Sequence, residues 1–117
     1  MRDFREIKVW QKAHKFALEI YRSTQGFPAE ERFGLTSQLR KSATSVPTNI
    51  AEGCGRSSEK DFARFLSIAA GSISESEYQV LLALDLGYIP TEVYHQLDAQ
   101  ANEIKRMLNS FIRTLSS

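Results

Sequence analysis

The residues best suited to chemistry are five cations that recur at helical spacing in the middle of the chain. Phosphate binding needs clustered positive charge, and an oligomer would repeat such a cluster in every subunit. Two glutamates, Glu52 and Glu59, lie beside the cluster in the sequence, so structural ion pairing is an equal alternative to polyanion binding. The five cations are Arg40, Lys41, Arg56, Lys60 and Arg64.

A second set of cations lies near the N-terminus. Lys8, Lys12 and Lys15 follow one another at spacings of four and three, opposite an apolar stripe. Such a row is typical of a solvated helix face, and it also provides the clustered charge that a nucleic-acid contact needs. Both interpretations stay open.

Metal chemistry has weak support. Glu92 and His95 have the Glu-x-x-His spacing that places two ligands on one helix face, but a di-iron bundle needs two such motifs and the sequence has one. The other histidine is His14. We expect no metal and no cofactor, with His95 at the surface.

Nucleophilic catalysis has a single candidate, Cys54, which lies between Gly53 and Gly55 ahead of a helix start that would lower its pKa. No base is placed beside it, as covalent catalysis requires. The turn lacks the glycine and lysine spacing of a phosphate-binding loop, so it is either a plain connection or an incidental anion or RNA-phosphate site. We therefore expect a protein that is not an enzyme.

Two further polar residues, Asn49 and Glu52, lie beside an apolar stripe. They either satisfy backbone groups near Pro47, or bond across a subunit boundary, or contact a ligand directly.

Composition sets the broad class. The chain has 117 residues, 42% hydrophobic and 25% charged, which indicates one ordinary globular domain spanning residues 1–117. A lone cysteine, a charged N-terminus and the absence of a long apolar run predict a cytoplasmic protein without a signal peptide or a membrane segment.

The net charge of +1 hides an asymmetry between the two halves. Residues 1–60 carry 11 Lys and Arg against 7 Asp and Glu, whereas residues 61–117 carry 4 against 7. This split indicates either a basic face or two halves that attract each other in an antiparallel arrangement.

Apolar spacings of three and four predict four helices that position these residues. The first runs from Ile7 to about Thr24. The second starts near Leu35 or Thr36, with Thr36 as a candidate cap, and Pro47 inside it predicts a kink. The third follows a cap at Ser57 or Ser58. Its apolar face comprises Phe62, Phe65, Leu66, Ala69, Ile73, Val80, Leu81 and Leu84.

The fourth helix follows the break at Gly87 and Pro90, with Thr91 as its predicted cap, and its apolar seam ends at Leu115. Short connections favour antiparallel neighbours, so the prediction is an all-α, up-down-up-down four-helix bundle. A small-residue patch at residues 69–72 of the third helix predicts the close approach of another helix there.

Several segments together resemble a known bacterial family. They are residues 9–14 (VWQKAH), 27–28 (FP), 34–36 (GLT), 38–41 (QLRK), 45–53 (SVPTNIAEG) and 86–89 (LGYI), with Arg56, Asp61, Phe62, Phe65, Leu66, Ala69, Gly71 and Ser72 between them. The chain is thereby similar to the four-helix-bundle proteins encoded in intervening sequences of 23S rRNA genes.

That resemblance implies a small bundle that assembles as a ring, typically a pentamer. A group similar in fold, the accessory variability proteins of diversity-generating retroelements, works with a reverse transcriptase and nucleic acid. The resemblance therefore extends the expected partners to structured RNA, DNA or a reverse transcriptase, while leaving the activity of the intervening-sequence proteins open.

Two functional hypotheses follow. The first is a non-enzymatic oligomer that binds RNA or assists a ribonucleoprotein, and the alternative is a protein-interaction scaffold with no nucleic-acid partner. Assembly is expected because Trp10, Tyr21, Phe27 and Tyr88 exceed the aromatic residues that one seam needs, so some should lie between subunits.

Overall fold

Four helices make up most of the computed structural model, which describes residues 2–116. They are α1 (Lys8–Thr24), α2 (Leu35–Cys54), α3 (Glu59–Asp85) and α4 (Thr91–Ser116). Two short 3-10 turns, Phe4–Glu6 and Ala29–Glu31, precede α1 and α2. No strand occurs within residues 2–116.

The helices pack in the order in which they occur. Each contacts the next, and α1 also contacts α4, which leaves α2 and α4 on opposite corners of the bundle. The predicted all-α four-helix bundle is confirmed. No helix within residues 2–116 has the length and apolar content that crossing a membrane would require.

One continuous apolar core joins all four helices, and it follows the spacing in the sequence. Its fully buried members include Phe16 and Ile20 of α1, Leu39 of α2, Leu66 of α3 and Leu108 of α4. The prediction that Leu81 belongs to this core is wrong: Leu81 is 40% exposed, because the buried stripe of α3 passes through Val80 and Ala83 on either side of it.

The helix starts differ in how well they were predicted. Ser58 caps α3, since its hydroxyl accepts the amide of Asp61 at 3.0 Å. Thr36 is not the cap of α2, which begins one residue earlier after Gly34. Thr91 is also not a cap: it is the first residue of α4, and the carbonyl of Pro90 accepts the amide of Tyr94.

Glu31, and not Thr36, is the residue whose side chain caps the start of α2. Its carboxylate accepts the amide of Leu35 at 3.0 Å and the hydroxyl of Tyr88 at 2.9 Å. These two hydrogen bonds lower the pKa of Glu31, and the bond to Glu31 raises the pKa of Tyr88. One carboxylate thus joins the start of α2 to the loop between α3 and α4.

Gly87 ends α3 in a Schellman motif. Its φ of +78° lies in the left-handed region that favours glycine. The amide of Tyr88 bonds to the carbonyl of Ala83, and that of Gly87 to the carbonyl of Leu84, both at 2.9 Å. The predicted break after α3 is confirmed.

The α2–α3 contact contains a buried polar cluster that the sequence did not indicate. The hydroxyl of Ser42 lies 2.8 Å from that of Ser76 and donates to the side-chain carbonyl of Gln79 at 2.7 Å. The same hydroxyl also lies 3.2 Å from the carbonyl of Leu39 in its own helix, so Ser42 links α2 to α3. The helix continues through Pro47, and the bend there stays a prediction.

The small-residue patch of α3 is only partly covered by α2. Ala69 is fully buried, and the hydroxyls of Ser72 and Ser45 lie 2.9 Å apart. Gly71 faces open space, so the close approach predicted over residues 69–72 does not include it.

Candidate nucleic-acid interface

The lysines of α1 lie on the side of that helix next to α4. Lys12 pairs with Glu103 of α4 at 3.3 Å, and Lys15 lines the same groove. Lys8 and Lys15 are exposed and form no ion pair within residues 2–116. Of the three lysines in this row, Lys12 is therefore neutralised by a carboxylate, whereas Lys8 and Lys15 have no carboxylate partner within residues 2–116.

Arg40 and Lys41 lie on the opposite side of α1, beside the groove between α1 and α2. The guanidinium of Arg40 donates to the hydroxyl of Thr24 at 2.8 Å and to the carbonyl of Tyr21 at 3.4 Å. It also covers one face of the Tyr21 ring, 4.6 Å from its centroid. Arg40 is thus held in place without a carboxylate, while its neighbour Lys41 is exposed to solvent.

Arg56 and Arg64 lie where α2 passes into α3, and both form ion pairs within the chain. Arg56 pairs with Glu52 at 3.0 Å and with Asp61 at 3.7 Å, and Arg64 pairs with Asp61 at 2.9 Å. Both guanidiniums also lie over the ring of Phe65. For these two arginines, structural ion pairing is therefore the interpretation that the structure supports.

Lys60 is the free cation of this end of the bundle. It is exposed beside Ser58 and Arg64 and pairs with no carboxylate of residues 2–116. Nearby, Arg2 donates two hydrogen bonds to Glu59, at 3.0 and 3.2 Å, which lower the pKa of that carboxyl. The two glutamates beside the predicted cluster thus pair with Arg56 and Arg2: Glu52 with Arg56, and Glu59 with Arg2.

The eight predicted cations do not form one cluster. From Lys41 to the end of α2 at Cys54 the axis rises by about 20 Å, and the α1 lysines lie beside α4. The structure separates them into an α1–α4 group, an α1–α2 group and a group at the α2–α3 end. Four lysines remain exposed and unpaired with any carboxylate of residues 2–116: Lys8, Lys15, Lys41 and Lys60.

Cys54 is not poised as a nucleophile. It is buried, 3% exposed, as the last residue of α2, and this burial raises the pKa of its thiol. The expectation that a helix start would lower this pKa is wrong, because α3 begins only at Glu59, beyond the connecting turn. The thiol therefore stays protonated at neutral pH.

The other candidate polar residues have partners within the chain. The side-chain amide of Asn49 donates to the carbonyl of Ser45 at 2.8 Å, and Glu52 pairs with Arg56. Within residues 2–116 no group of three or more His, Cys, Asp and Glu side chains is arranged to hold a metal ion.

Exposed aromatic rings are the feature that the cation pattern did not indicate. Phe33 is 87% exposed in the turn before α2, and Tyr21 is 44% exposed. A shallow apolar groove of about 360 Å³ continues from Tyr21 along α1 and α2, with Trp10 and His14 stacked 5.0 Å apart on its wall. Among the four aromatics, some of which we expect between subunits, Phe27 and Tyr88 pack against each other within the chain.

Comparison with protein families identifies this architecture. Residues 5–110 match the model of the 23S rRNA-intervening sequence protein family. The chain belongs to this family. The match covers all four helices apart from the last turn and a half of α4, and it includes every predicted cation.

A solved structure agrees with the family assignment. The chain is similar to a protein with unknown function from the S23 ribosomal protein family of Bacteroides thetaiotaomicron, with 31% sequence identity and a TM-score of 0.80. The similarity covers 89% of this chain and 97% of that one. A search of curated proteins found no match. The comparisons thus establish the family and the fold.

Proposed function

We propose that this 23S rRNA-intervening sequence family protein is a non-enzymatic oligomer that binds RNA or assists a ribonucleoprotein. The observation that carries the proposal is the set of four exposed lysines, Lys8, Lys15, Lys41 and Lys60, that have no carboxylate partner within residues 2–116. A cation that is already paired gains little from a phosphate, whereas an unpaired lysine releases counterions from the nucleic acid on binding.

Assembly is the second part of the proposal. The unpaired lysines of one chain lie in three separate places, and a single chain presents each place once. A ring of copies repeats every place around an axis and converts weak contacts into polyvalent binding. The family resemblance favours a pentamer.

The remaining parts of the proposal concern setting and partners. A protonated, buried thiol and the absence of a metal-binding cluster within residues 2–116 support a role without catalysis. We place the protein in the cytoplasm, where structured RNA is its first expected partner. DNA and a reverse transcriptase are the other partners that the resemblance favours.

Binding is tested by titrating the purified oligomer against a fluorescent structured RNA and against duplex DNA, at about 50 mM and about 200 mM salt. We expect RNA binding that weakens steeply between the two salt concentrations. No binding at the lower concentration, with the oligomer intact by light scattering, would refute the proposal.

A scaffold for another protein is the second candidate, and the groove between α1 and α2 favours it. Trp10, Leu18 and Pro47 are among its lining residues, and Leu18 is 43% exposed. Trp10 is the only tryptophan of the chain, so its fluorescence reports directly on this groove. A protein partner that binds in this groove should shift the fluorescence emission of Trp10 to shorter wavelength. A complex that leaves the emission unchanged would count against the scaffold hypothesis.

A further inference from the structure

Phe33 is the most exposed large apolar side chain of residues 2–116. Its ring is 87% exposed, and Arg32 is the one described side chain stacked on it, with the guanidinium 5.4 Å from the ring centroid. A ring in this position contributes almost nothing to the stability of the folded chain, because very little of its apolar surface is removed from the solvent. The face of the ring opposite Arg32 is therefore available to a planar ligand.

A second aromatic ring lies beside Phe33. Tyr21 of α1 and Phe33 line one cleft of about 420 Å³ between the first turns of α2 and the end of α1. We call this the aromatic cleft; its other lining residues that matter here are Arg32, Thr36, Arg40 and Lys41. Arg40 stacks on Tyr21 and is fixed there by its bonds to Thr24 and to the Tyr21 carbonyl.

The charge of the aromatic cleft has one sign. Three of its lining residues are cations, Arg32, Arg40 and Lys41, and no Asp or Glu is among them. The nearest acidic group in sequence, Glu31, has its carboxylate bonded to the amide of Leu35 and the hydroxyl of Tyr88. The cleft therefore complements a ligand that combines planar rings with negative charge.

The aromatic cleft extends into a neighbouring hollow, so the combined space is larger than one aromatic ring requires. A second hollow of about 330 Å³ adjoins it and shares Arg32, Thr36 and Arg40 with it. The two arginines thus lie between two neighbouring spaces. This arrangement suits a chain of nucleotides, in which phosphates alternate with bases, better than a single small anion.

From these observations we infer that the aromatic cleft binds unpaired bases of a single-stranded nucleic acid. Bases stack on Phe33 and on the free face of Tyr21, and Arg32 and Lys41 contact the neighbouring phosphates. Aromatic stacking needs bases that are not already stacked in a duplex, so the cleft selects loops, bulges and ends. This inference rests on the proposed function and specifies its ligand class.

Fluorescence anisotropy tests the inference with a 12-nucleotide unstructured RNA and a 12-base-pair RNA duplex as probes. We expect the oligomer to prefer the single strand. Phe33→Ala should weaken single-strand binding by about 5- to 100-fold and leave duplex binding unchanged, while Phe33→Trp should restore it. Because the ring is 87% exposed, neither change should affect folding.

Tyr78→Ala is the matched control. Tyr78 is 61% exposed on α3, which contributes no lining residue to the aromatic cleft, so this variant removes an exposed aromatic ring outside the cleft. We expect its affinity for the single strand to equal that of the unchanged protein. Circular dichroism and light scattering of all three variants should match as well.

The possible outcomes separate this inference from the proposed function. If RNA binds but the Phe33 and Tyr78 variants behave alike, or if the duplex binds as well as the single strand, the aromatic cleft is refuted and RNA binding stands. If Phe33→Ala lowers the mass of the oligomer, Phe33 is a subunit contact and the inference is wrong. If neither probe binds at low salt, the proposed function itself fails.

Discussion

Gly53 shows how a single residue can set the distance between two helices. A Cβ atom at this position would lie 2.8 Å from Cδ1 of Phe62 and 2.9 Å from Cβ of Phe65. The Cβ of Phe65 is fixed to the α3 backbone, so the contact cannot be relieved by a side-chain rotation. The end of α2 and the start of α3 therefore approach each other only because residue 53 has no side chain.

We predict that Gly53→Ala destabilises the protein by about 1–2 kcal/mol, since overpacking outweighs the gain in helix propensity. Urea unfolding followed by circular dichroism measures the change. Gly71→Ala is the matched control: a Cβ there meets no atom within 4 Å, so this change should stabilise α3 by about 0.5–1 kcal/mol. Equal losses in the two variants would contradict the packing described for Gly53.

The candidate site illustrates what residue patterns cannot determine. The type and spacing of the cations identified Lys41 and Lys60 as candidates and left ion pairing with Glu52 open, but they did not indicate the pairing of Arg56 with Asp61. The pairing of Lys12 with Glu103 joins residues on α1 and α4. Such partners depend on how the helices are rotated against each other, which no local spacing specifies.

At the scale of elements, the helices could be predicted because each buries one stripe at spacings of three and four. The end of α3 follows from Gly87, and Pro28 prevents α1 from continuing, because the backbone preferences of glycine and proline are local. The start of α2 does not, because its capping group is the side chain of Glu31 from the preceding turn. The contacts of Ser42 with Ser76 and Gln79 were not predicted for a different reason: these partners lie 34 and 37 residues away in the sequence.

Glu31 makes the junction between α2 and the α3–α4 loop sensitive to pH. Its hydrogen bonds from Leu35 and Tyr88 lower its pKa below the ordinary value of 4.5. The resulting stabilisation is complete above about pH 4.5 and is lost as the pH falls through the lower folded-state pKa.

We therefore predict that Glu31→Gln lowers the free energy of unfolding at pH 7 and that this difference shrinks as the pH falls below about 4.5 and then through the lower folded-state pKa of Glu31. Thermal unfolding of both proteins across this range measures the effect. Glu30→Gln, which removes a carboxylate from the same turn, is the control, and it should leave the free energy of unfolding at pH 7 nearly unchanged. A difference that stays constant with pH would show that the charge of Glu31 is not what stabilises the junction.

At the scale of the whole molecule, assembly is the property on which polyvalent binding depends. Trp10 and Tyr21 stay accessible on the α1–α2 side, while Phe27 and Tyr88 are used within the chain. We predict that light scattering returns a multiple of the 13.3 kDa chain mass, five-fold for the ring that the resemblance favours. A stable monomer at micromolar concentration would contradict this prediction.

The central claim is that the four unpaired lysines are the phosphate contacts, and the salt dependence of RNA affinity tests it most directly. The measurement compares the wild type with Lys8→Gln/Lys15→Gln/Lys41→Gln/Lys60→Gln, using Arg106→Gln/Arg113→Gln of α4 as the control. Each lost phosphate contact should reduce the slope of log affinity against log salt by about 0.7–0.9.

We predict that the four-lysine variant has a slope smaller by about 2.8–3.6 than the wild type, as four lost phosphate contacts require, and a lower affinity at low salt, while the α4 control keeps most of the wild-type slope. If the four-lysine variant, with its fold and mass unchanged, keeps the wild-type slope, the unpaired lysines are not the contacts and the account is wrong.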